Sequence, residues 1–289
     1  MKTLYQSSEI IADRYQIITI LGQGGMGTTY AAVDLNSSRR VAIKVVSLRQ
    51  ANEWKILELF AREAKVLANL DHTHIPNYLD YFELDTENDR RFYLIQELVT
   101  GESLEKLIET DWQVTEVEAK NIAIQMLEIL VYLHSITPPV IHRDIKPQNI
   151  IRQADGKVYL VDFGAVQDIY RNTVSISNTF VGTLGYIPLE QLRGKVIPAS
   201  DLYSLGCSLL FLLTGKSPTD LPETRMKIDF RSQVNVSQYF TNWLDRLIEP
   251  DIDKRFQSAE DALLGLWHKS KRRDLGNKNT DPYKNIDLL

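Results

Sequence analysis

The sequence predicts an α+β protein in two lobes: a small, β-rich lobe carrying one helix, and a larger, mainly helical lobe. Three observations lead there. Residues 15–100 alternate short β-branched and aromatic runs with turn-forming clusters. After Gly101 apolar residues recur at three- and four-residue steps instead. A short connector near 97–101 separates the two patterns.

The elements follow in order. Tyr15–Leu21, Thr28–Asp34 and Val41–Val46 read as strands, with a glycine-rich turn between the first two and Asn36-Ser37-Ser38 between the second and third. From about Glu53 to Asn69, Ile56, Leu59, Phe60, Ala64 and Leu67 recur at helical spacing. Strands at about Tyr78–Glu83 and Arg91–Leu98 flank a polar tip, Asp85–Arg90. In the second lobe Ala119, Ile122, Ala123, Met126, Leu127, Leu130 and Leu133 form one long apolar stripe, stopped by Pro138-Pro139. Short strands at Ile150–Arg152 and Val158–Val161 bracket an Ala154-Asp155-Gly156 turn. Helices are expected near 199–214, 240–249 and 258–269, and a polar, flexible tail over 269–289.

Composition excludes some classes. The 289 residues are 44% hydrophobic and 25% charged, and 33 Lys and Arg against 38 Asp and Glu give −5. This is an ordinary globular balance, without the basic excess of a nucleic-acid binder. A local cluster, Lys269, Lys271, Arg272 and Arg273, suits a helix C-terminus or, alternatively, an anionic lipid surface. The one cysteine, Cys207, lies in an apolar run and reads as a core residue. It fits a reducing compartment, and no signal peptide or membrane-spanning run is evident, so a cytoplasmic location is expected.

Four motifs carry chemistry. Gly22-Gln23-Gly24-Gly25-Met26-Gly27 fits G-x-G-x-x-G, a pattern shared with dinucleotide folds. Those need a helix after the glycines, whereas Thr28–Val33 reads as a strand. A glycine-tipped hairpin can present backbone N–H groups to phosphates without a clashing Cβ; a plain turn is the alternative. Lys44 ends the apolar run Val41-Ala42-Ile43-Lys44, and an inward ammonium there needs a partner. Glu63 is the candidate, since Glu53 and Glu58 lie too near the helix start; a surface lysine is the alternative. The third motif is Ile141-His142-Arg143-Asp144-Ile145-Lys146-Pro147-Gln148-Asn149, and Asp162-Phe163-Gly164 begins thirteen residues after it. Asp144, Lys146, Asn149 and Asp162 suit divalent-metal and phosphate chemistry. His142 reads as a packed histidine rather than a base, with Phe163 packing against it and Leu67. Last comes Gly182-Thr183-Leu184-Gly185-Tyr186-Ile187-Pro188-Leu189-Glu190, after a loop holding Thr173, Ser175, Ser177 and Thr179.

H-R-D-x-K-x-x-N followed by D-F-G belongs to the protein-kinase signature set. With the other motifs in order over residues 12–268, the chain resembles the eukaryotic-like serine/threonine protein kinases, bacterial branch. The resemblance implies a bilobal kinase domain, with a smaller lobe at about 12–97 and a larger one at about 102–268. It implies ATP- and Mg2+-dependent phosphoryl transfer to Ser/Thr hydroxyls of proteins, with Mn2+ as an alternative metal. Asp144 would be the catalytic base, Lys146 would contact the γ-phosphate, and Lys44, fixed by Glu63, would hold the α- and β-phosphates. Asn149 and Asp162 would hold metal. Leu21, Gly22, Gly24, Gly25, Gly27 and Thr29 would cover the nucleotide. Ala42 and Ile151 would sandwich the adenine, the backbone of Glu97 and Val99 would bond it, and Ser103 would reach the ribose. Thr183 would lie in the substrate loop, Glu190 would pair with Arg255, and Asp201 would bond the catalytic-loop backbone. Because Arg143 precedes Asp144, phosphorylation of the loop is expected as a switch, with Ser175 and Ser177 the first candidates, then Thr173 and Thr179. A homodimer through the smaller lobe is implied by resemblance only.

Some positions depart from the family pattern. Thr29 stands where Val is usual, and Pro188-Leu189 replaces Ala-Pro. Gln96 occupies a position at the back of the nucleotide pocket that is often apolar. Gln148 replaces a Glu that binds substrate arginine in some kinases, so basic substrates are not favoured by that position. The alternatives are a pseudokinase scaffold, disfavoured by an intact Lys44, Asp144 and Asp162, and a small-molecule kinase of related fold. The latter rarely carries Lys146 together with a Gly182–Glu190 segment.

Overall fold

The computed structural model of the protein describes residues 4–24, 27–49, 54–87, 89–166 and 184–267. The first lobe is a six-stranded antiparallel sheet in the order β1-β2-β3-β4-β6-β5. Its strands are β1 (Ile10–Ile11), β2 (Tyr15–Gly24), β3 (Gly27–Asp34), β4 (Arg39–Ser47), β5 (Tyr78–Thr86) and β6 (Asp89–Glu97). Helix α1 (Trp54–Leu67) crosses between β4 and β5. The expected α+β class and two-lobed arrangement hold.

Side chains alternate across this sheet, so each strand serves two cores. On β4, Val41, Ile43 and Val45 join Tyr15, Tyr30, Tyr93 and Ile95 in a cluster on one face. Val46 and Leu94 face the other way, into the main core with Phe60, Ala64 and Leu67 of α1. That second face also carries Ala42, Lys44 and Gln96, and it borders the site.

Two departures from the sequence reading stand out here. The β5–β6 ladder runs further than the tip Asp85–Arg90 suggests, pairing Asp85 with Arg90 and Thr86 with Asp89. Arg90 bridges Glu83 at 2.5 Å and Asp85 at 3.5 Å, so charges stabilise strands that carry little apolar signal. The second is the N-terminal segment, for which the sequence pattern predicts no element. Beyond β1, the backbone N–H groups of Leu4 and Tyr5 donate to the Tyr30 hydroxyl, and Tyr5 packs over the outer cluster.

The connector enters the second lobe through Gly101, at φ 128°, where a Cβ would lie 2.4 Å from the Arg152 carbonyl oxygen. Only glycine allows this approach. It places β7 (Glu102–Ser103) against β8 (Ile150–Arg152), which pairs with β9 (Val158–Leu160). Ser103 then caps α2 (Leu104–Glu109), accepting from the Lys106 N–H at 3.1 Å.

Helix α3 (Glu116–Ser135) starts at a capping box between Thr115 and Glu118. All seven residues of its apolar stripe are buried. Then follow α4 (Leu189–Leu192), α5 (Pro198–Thr214), the small hairpin β10 (Glu223–Thr224) and β11 (Lys227–Ile228), α6 (Gln238–Leu247) and α7 (Ala259–Trp267). Helix α5 is buried nearly all round, including Cys207, and ends at Gly215 in the left-handed region, φ 66°. Among the described residues no helix is long and apolar enough to cross a membrane.

Candidate active site

The site forms where β4, α1 and the segments around β8 and β9 converge. Lys44 sits on β4 between Thr29 of β3 and Leu94 of β6. Its Nζ lies 2.7 Å from Glu63 Oε2 and 2.7 Å from Asp162 Oδ1. Lys44 and Glu63 are 7% and 1% exposed. Burial alone would lower the Lys44 pKa, but Asp162 and Glu63, by charge and hydrogen bond, hold it above the usual range. Burial pushes the Glu63 carboxyl up to about 7, with Lys44 opposing and Asp162 adding to the rise. Its second oxygen, Oε1, is buried without a partner.

Asp162 has a left-handed backbone, φ 63°, and 44% of its side chain remains exposed. Closely packed surroundings push its pKa up, but Lys44 outweighs this with help from Lys146 and His142, leaving it at about 2. Glu58, the rejected partner for Lys44, pairs instead with Arg62 at 3.0 Å.

The segment 141–149 is gripped from below. Asp201 of α5 is fully buried and accepts from the backbone N–H groups of His142 and Arg143, at 2.9 Å each. This holds Arg143 at φ 69°, a strained value for a non-glycine residue. Two residues that the sequence reading gave no role also contribute. His134 of α3 meets Asp201 Oδ2 at 3.0 Å, and the Gln191 amide donates to the Arg143 carbonyl at 2.8 Å. His134 was legible only as a polar residue beside the α3 stripe. The His142 ring meets Phe163 edge-on, centroids 4.8 Å apart, and burial lowers its pKa.

Thus supported, Asp144 Oδ2 lies 2.8 Å from Lys146 Nζ and 2.9 Å from Asn149 Nδ2. Asn149 Nδ2 also donates to the Asp144 carbonyl at 2.8 Å, which turns its amide oxygen away from Asp144. The Val161 N–H donates to the Asn149 carbonyl at 3.0 Å, tying Asn149 to the strand that leads into Asp162. An amide oxygen and a carboxylate are hard donors that fit Mg2+, an ion bound through few protein ligands plus water and phosphate.

The glycine-rich motif lies at the paired ends of β2 and β3. Gly22 pairs with Thr29 and Gly24 with Gly27; Gly25 lies outside the described residues. Gly27, at φ 116°, would place a Cβ 2.3 Å from the Val45 carbonyl oxygen, so its own fold requires glycine. Gly22 and Gly24 differ: a Cβ on either meets nothing within 4 Å. Leu21 is exposed beside them, Ala42 is buried, and Ile151 and Val99 are half-buried. The Glu97 N–H is already taken by the Asn77 carbonyl at 2.9 Å. The Ser103 hydroxyl serves as the α2 cap.

On the far side of the cleft, Glu190 Oε1 accepts from Arg255 Nη1 at 2.7 Å and from the Ser200 hydroxyl at 3.0 Å, all buried. Arg255 also donates to the carbonyls of Ala199 and Glu249. Gln148 has a carboxylate neighbour. Its amide donates to Glu105 Oε1, so a carboxylate from α2 stands beside the position where the sequence showed none. Burial raises the Glu105 pKa, with Glu109 adding, while Gln148 and Lys146 pull it down. Thr173, Ser175, Ser177, Thr179 and Thr183 lie outside the described residues.

A buried lysine is thus joined to two carboxylates, beside an Asp-Lys-Asn cluster on a strained loop. The model of the protein kinase domain matches residues 15–268, and the chain belongs to that family. It is 38% identical over 271 residues to Serine/threonine-protein kinase B of Synechocystis, covering 88% of this chain and 46% of the relative. Serine/threonine-protein kinase F of the same organism is 39% identical over 277 residues, 89% of this chain and 55% of the relative. PrkC of Bacillus subtilis, a serine/threonine-protein kinase, is 33% identical over 263 residues, 87% and 40%. The chain spans about half the length of these curated relatives.

Proposed function

We propose that this chain transfers the γ-phosphoryl group of ATP, with Mg2+, to Ser and Thr hydroxyls of protein substrates. The observation that carries this is Lys44, buried and shared at 2.7 Å between Glu63 and Asp162. The ammonium is thereby fixed in the cleft at the level where phosphates would enter. Gly22 and Gly24 leave open space above it for backbone N–H groups to approach phosphate oxygens.

Asp144 orients the substrate hydroxyl and accepts its proton, and Lys146, 2.8 Å from it, neutralises charge on the γ-phosphate. Asn149 and Asp162 hold the metal, which supplies charge neutralisation on the phosphate oxygens when bound. Glu63 positions Lys44, and Asp201, His134 and Gln191 hold the loop in its strained form. Arg143, whose pKa is lowered by burial and by the nearby positive Arg62 against the pull of Asp201, supports a phosphate-dependent switch. Its phosphoacceptors are Ser175 and Ser177 first, then Thr173 and Thr179. A cytoplasmic setting and a homodimer through the smaller lobe complete the proposal.

The test is incubation with labelled ATP, Mg2+ and a generic protein substrate, beside Asp144→Asn and Lys44→Met. Label on Ser and Thr in the wild type alone supports the mechanism. Equal labelling by all three proteins contradicts it.

A further inference from the structure

The turn between α1 and β5 carries two histidines that the site does not use. Leu67 ends α1, and Asp71, His72, Thr73 and His74 lead on to Ile75, which is 3% exposed in the main core. The turn is tied to the second lobe at both ends. The Asp71 N–H donates to the Tyr132 hydroxyl of α3 at 2.7 Å. The Leu160 N–H of β9 donates to the His74 carbonyl at 3.1 Å. Between these ties the half-buried His72 ring lies tilted against Tyr132, centroids 5.0 Å apart, and edge-on to His74 at 5.9 Å. His74 in turn meets the Tyr159 ring of β9 at 5.4 Å.

His72 Nδ1 holds the turn's own shape. It lies 3.1 Å from the His74 backbone nitrogen, which can only donate, so Nδ1 must accept. The bond therefore requires the neutral ring with its proton on Nε2. A second proton would make Nδ1 a donor facing the His74 N–H, and the bond would be lost. The new charge would also lie in a half-buried stack. His74 opposes that charge, while Glu128 of α3 and Asp71 favour it; Tyr132 of α3 and, beyond His74, Tyr159 of β9 pack around them. Burial is the largest influence, and with His74 it holds the His72 pKa below the ordinary imidazole value.

We propose that His72 is an acid-released latch between the lobes: protonation at Nδ1 breaks the bond inside the turn and frees the turn from α3 and β9. The latch needs no nucleotide or metal, so it stands apart from the phosphoryl-transfer chemistry. Its release still reaches the site, because the freed turn follows the helix that carries Glu63. A histidine whose pKa is lowered on folding contributes stability that is complete above its unfolded value of about 6.5. That stability is lost as pH falls through the lower native value. The latch is therefore closed above neutrality and loosened in acid.

The experiment is hydrogen exchange on the full chain, read over residues 69–78 and 158–162, for wild type and His72→Asn at about pH 7.5 and about pH 5. An Asn side chain accepts from the N–H two residues on, as His72 does, but does not titrate. Glu63 and every other titrating group are common to both proteins and cancel. Near neutrality the two proteins are expected to exchange within about 2-fold of each other. In acid the wild type is expected to exchange these segments about 3- to 10-fold faster than the variant. Should the variant fail to fold, or lack protection already near neutrality, NMR titration of the wild type decides. The His74 amide is then expected to shift together with the His72 ring, at a pH below about 6.5. Equal exchange of the two proteins in acid overturns the proposal. So does a His74 amide that does not follow the His72 ring, or a ring that titrates above the ordinary imidazole value.

Discussion

Glu63 shows how one buried group can serve position rather than stability. Burial raises its pKa to about 7. A carboxyl raised by folding contributes stability that is fully present below its unfolded pKa and lost as pH rises through about 7. Activity should run the opposite way, because charged Glu63 is the form that holds Lys44. The acid limb of kcat/KM is therefore expected near neutrality, and a Glu63→Gln variant should lack it. That variant should lose about 100-fold in kcat/KM through misplacement of Lys44. Glu58→Gln, whose carboxylate only pairs with Arg62 on the surface, should stay within about 2-fold. The reverse order would mean that Lys44 does not depend on Glu63. Much of this scale was legible in the sequence, because a lysine inside an apolar strand needs a carboxylate and Glu53 and Glu58 lie too near the helix start to supply it. His134, Gln191 and Glu105 were not legible. Each acts through a single polar contact with a residue distant in sequence, and no local pattern marks such a contact.

The larger lobe places its elements through a few buried links. Arg255 joins Glu190 of α4, the Ala199 carbonyl of α5 and the Glu249 carbonyl after α6. Replacing it by Met leaves Glu190 buried and uncompensated, and should cost about 3–5 kcal/mol in denaturant unfolding. Adding Glu190→Met should recover part of that loss. Gly206 sets how closely α5 meets α6, since a Cβ there would lie 2.7 Å from Ile248 Cγ2 and 2.9 Å from Leu247 Cβ. Gly206→Ala should cost about 1–3 kcal/mol by overpacking. At this scale the long elements were legible because periodicity sums over many residues: α3 and α5 show it best. Among the short ones β8 and β9 were legible from the turn between them, whereas β1, β7 and α2 have two to six residues and no such mark. β7 depends on Arg152 and Ile151, which lie about fifty residues along the chain.

For the whole molecule, one charge cluster spans the two lobes, beside the core they share. Lys44 and Glu63 come from the first lobe and Asp162 from the second, so the 2.7 Å contacts of Lys44 join them. The α+β class and lobe order could be read from the switch in periodicity near Gly101. The approach of the lobes could not, because it rests on side-chain contacts across more than a hundred residues. The switch reading belongs here too. After incubation with ATP and Mg2+, phosphopeptide mapping should find phosphate on Ser175 or Ser177, and Arg143→Ala should blunt the activation that follows. An unmodified loop in fully active protein would contradict the switch.

The central claim is that Asp144 acts in phosphoryl transfer while the nucleotide is held by other groups. Measuring ATP binding and single-turnover phosphoryl transfer on the same Asp144→Asn protein tests this most directly. The account predicts ATP affinity within a few-fold of wild type and transfer slower by about 10²–10⁴-fold. Transfer at the wild-type rate with binding intact would contradict it.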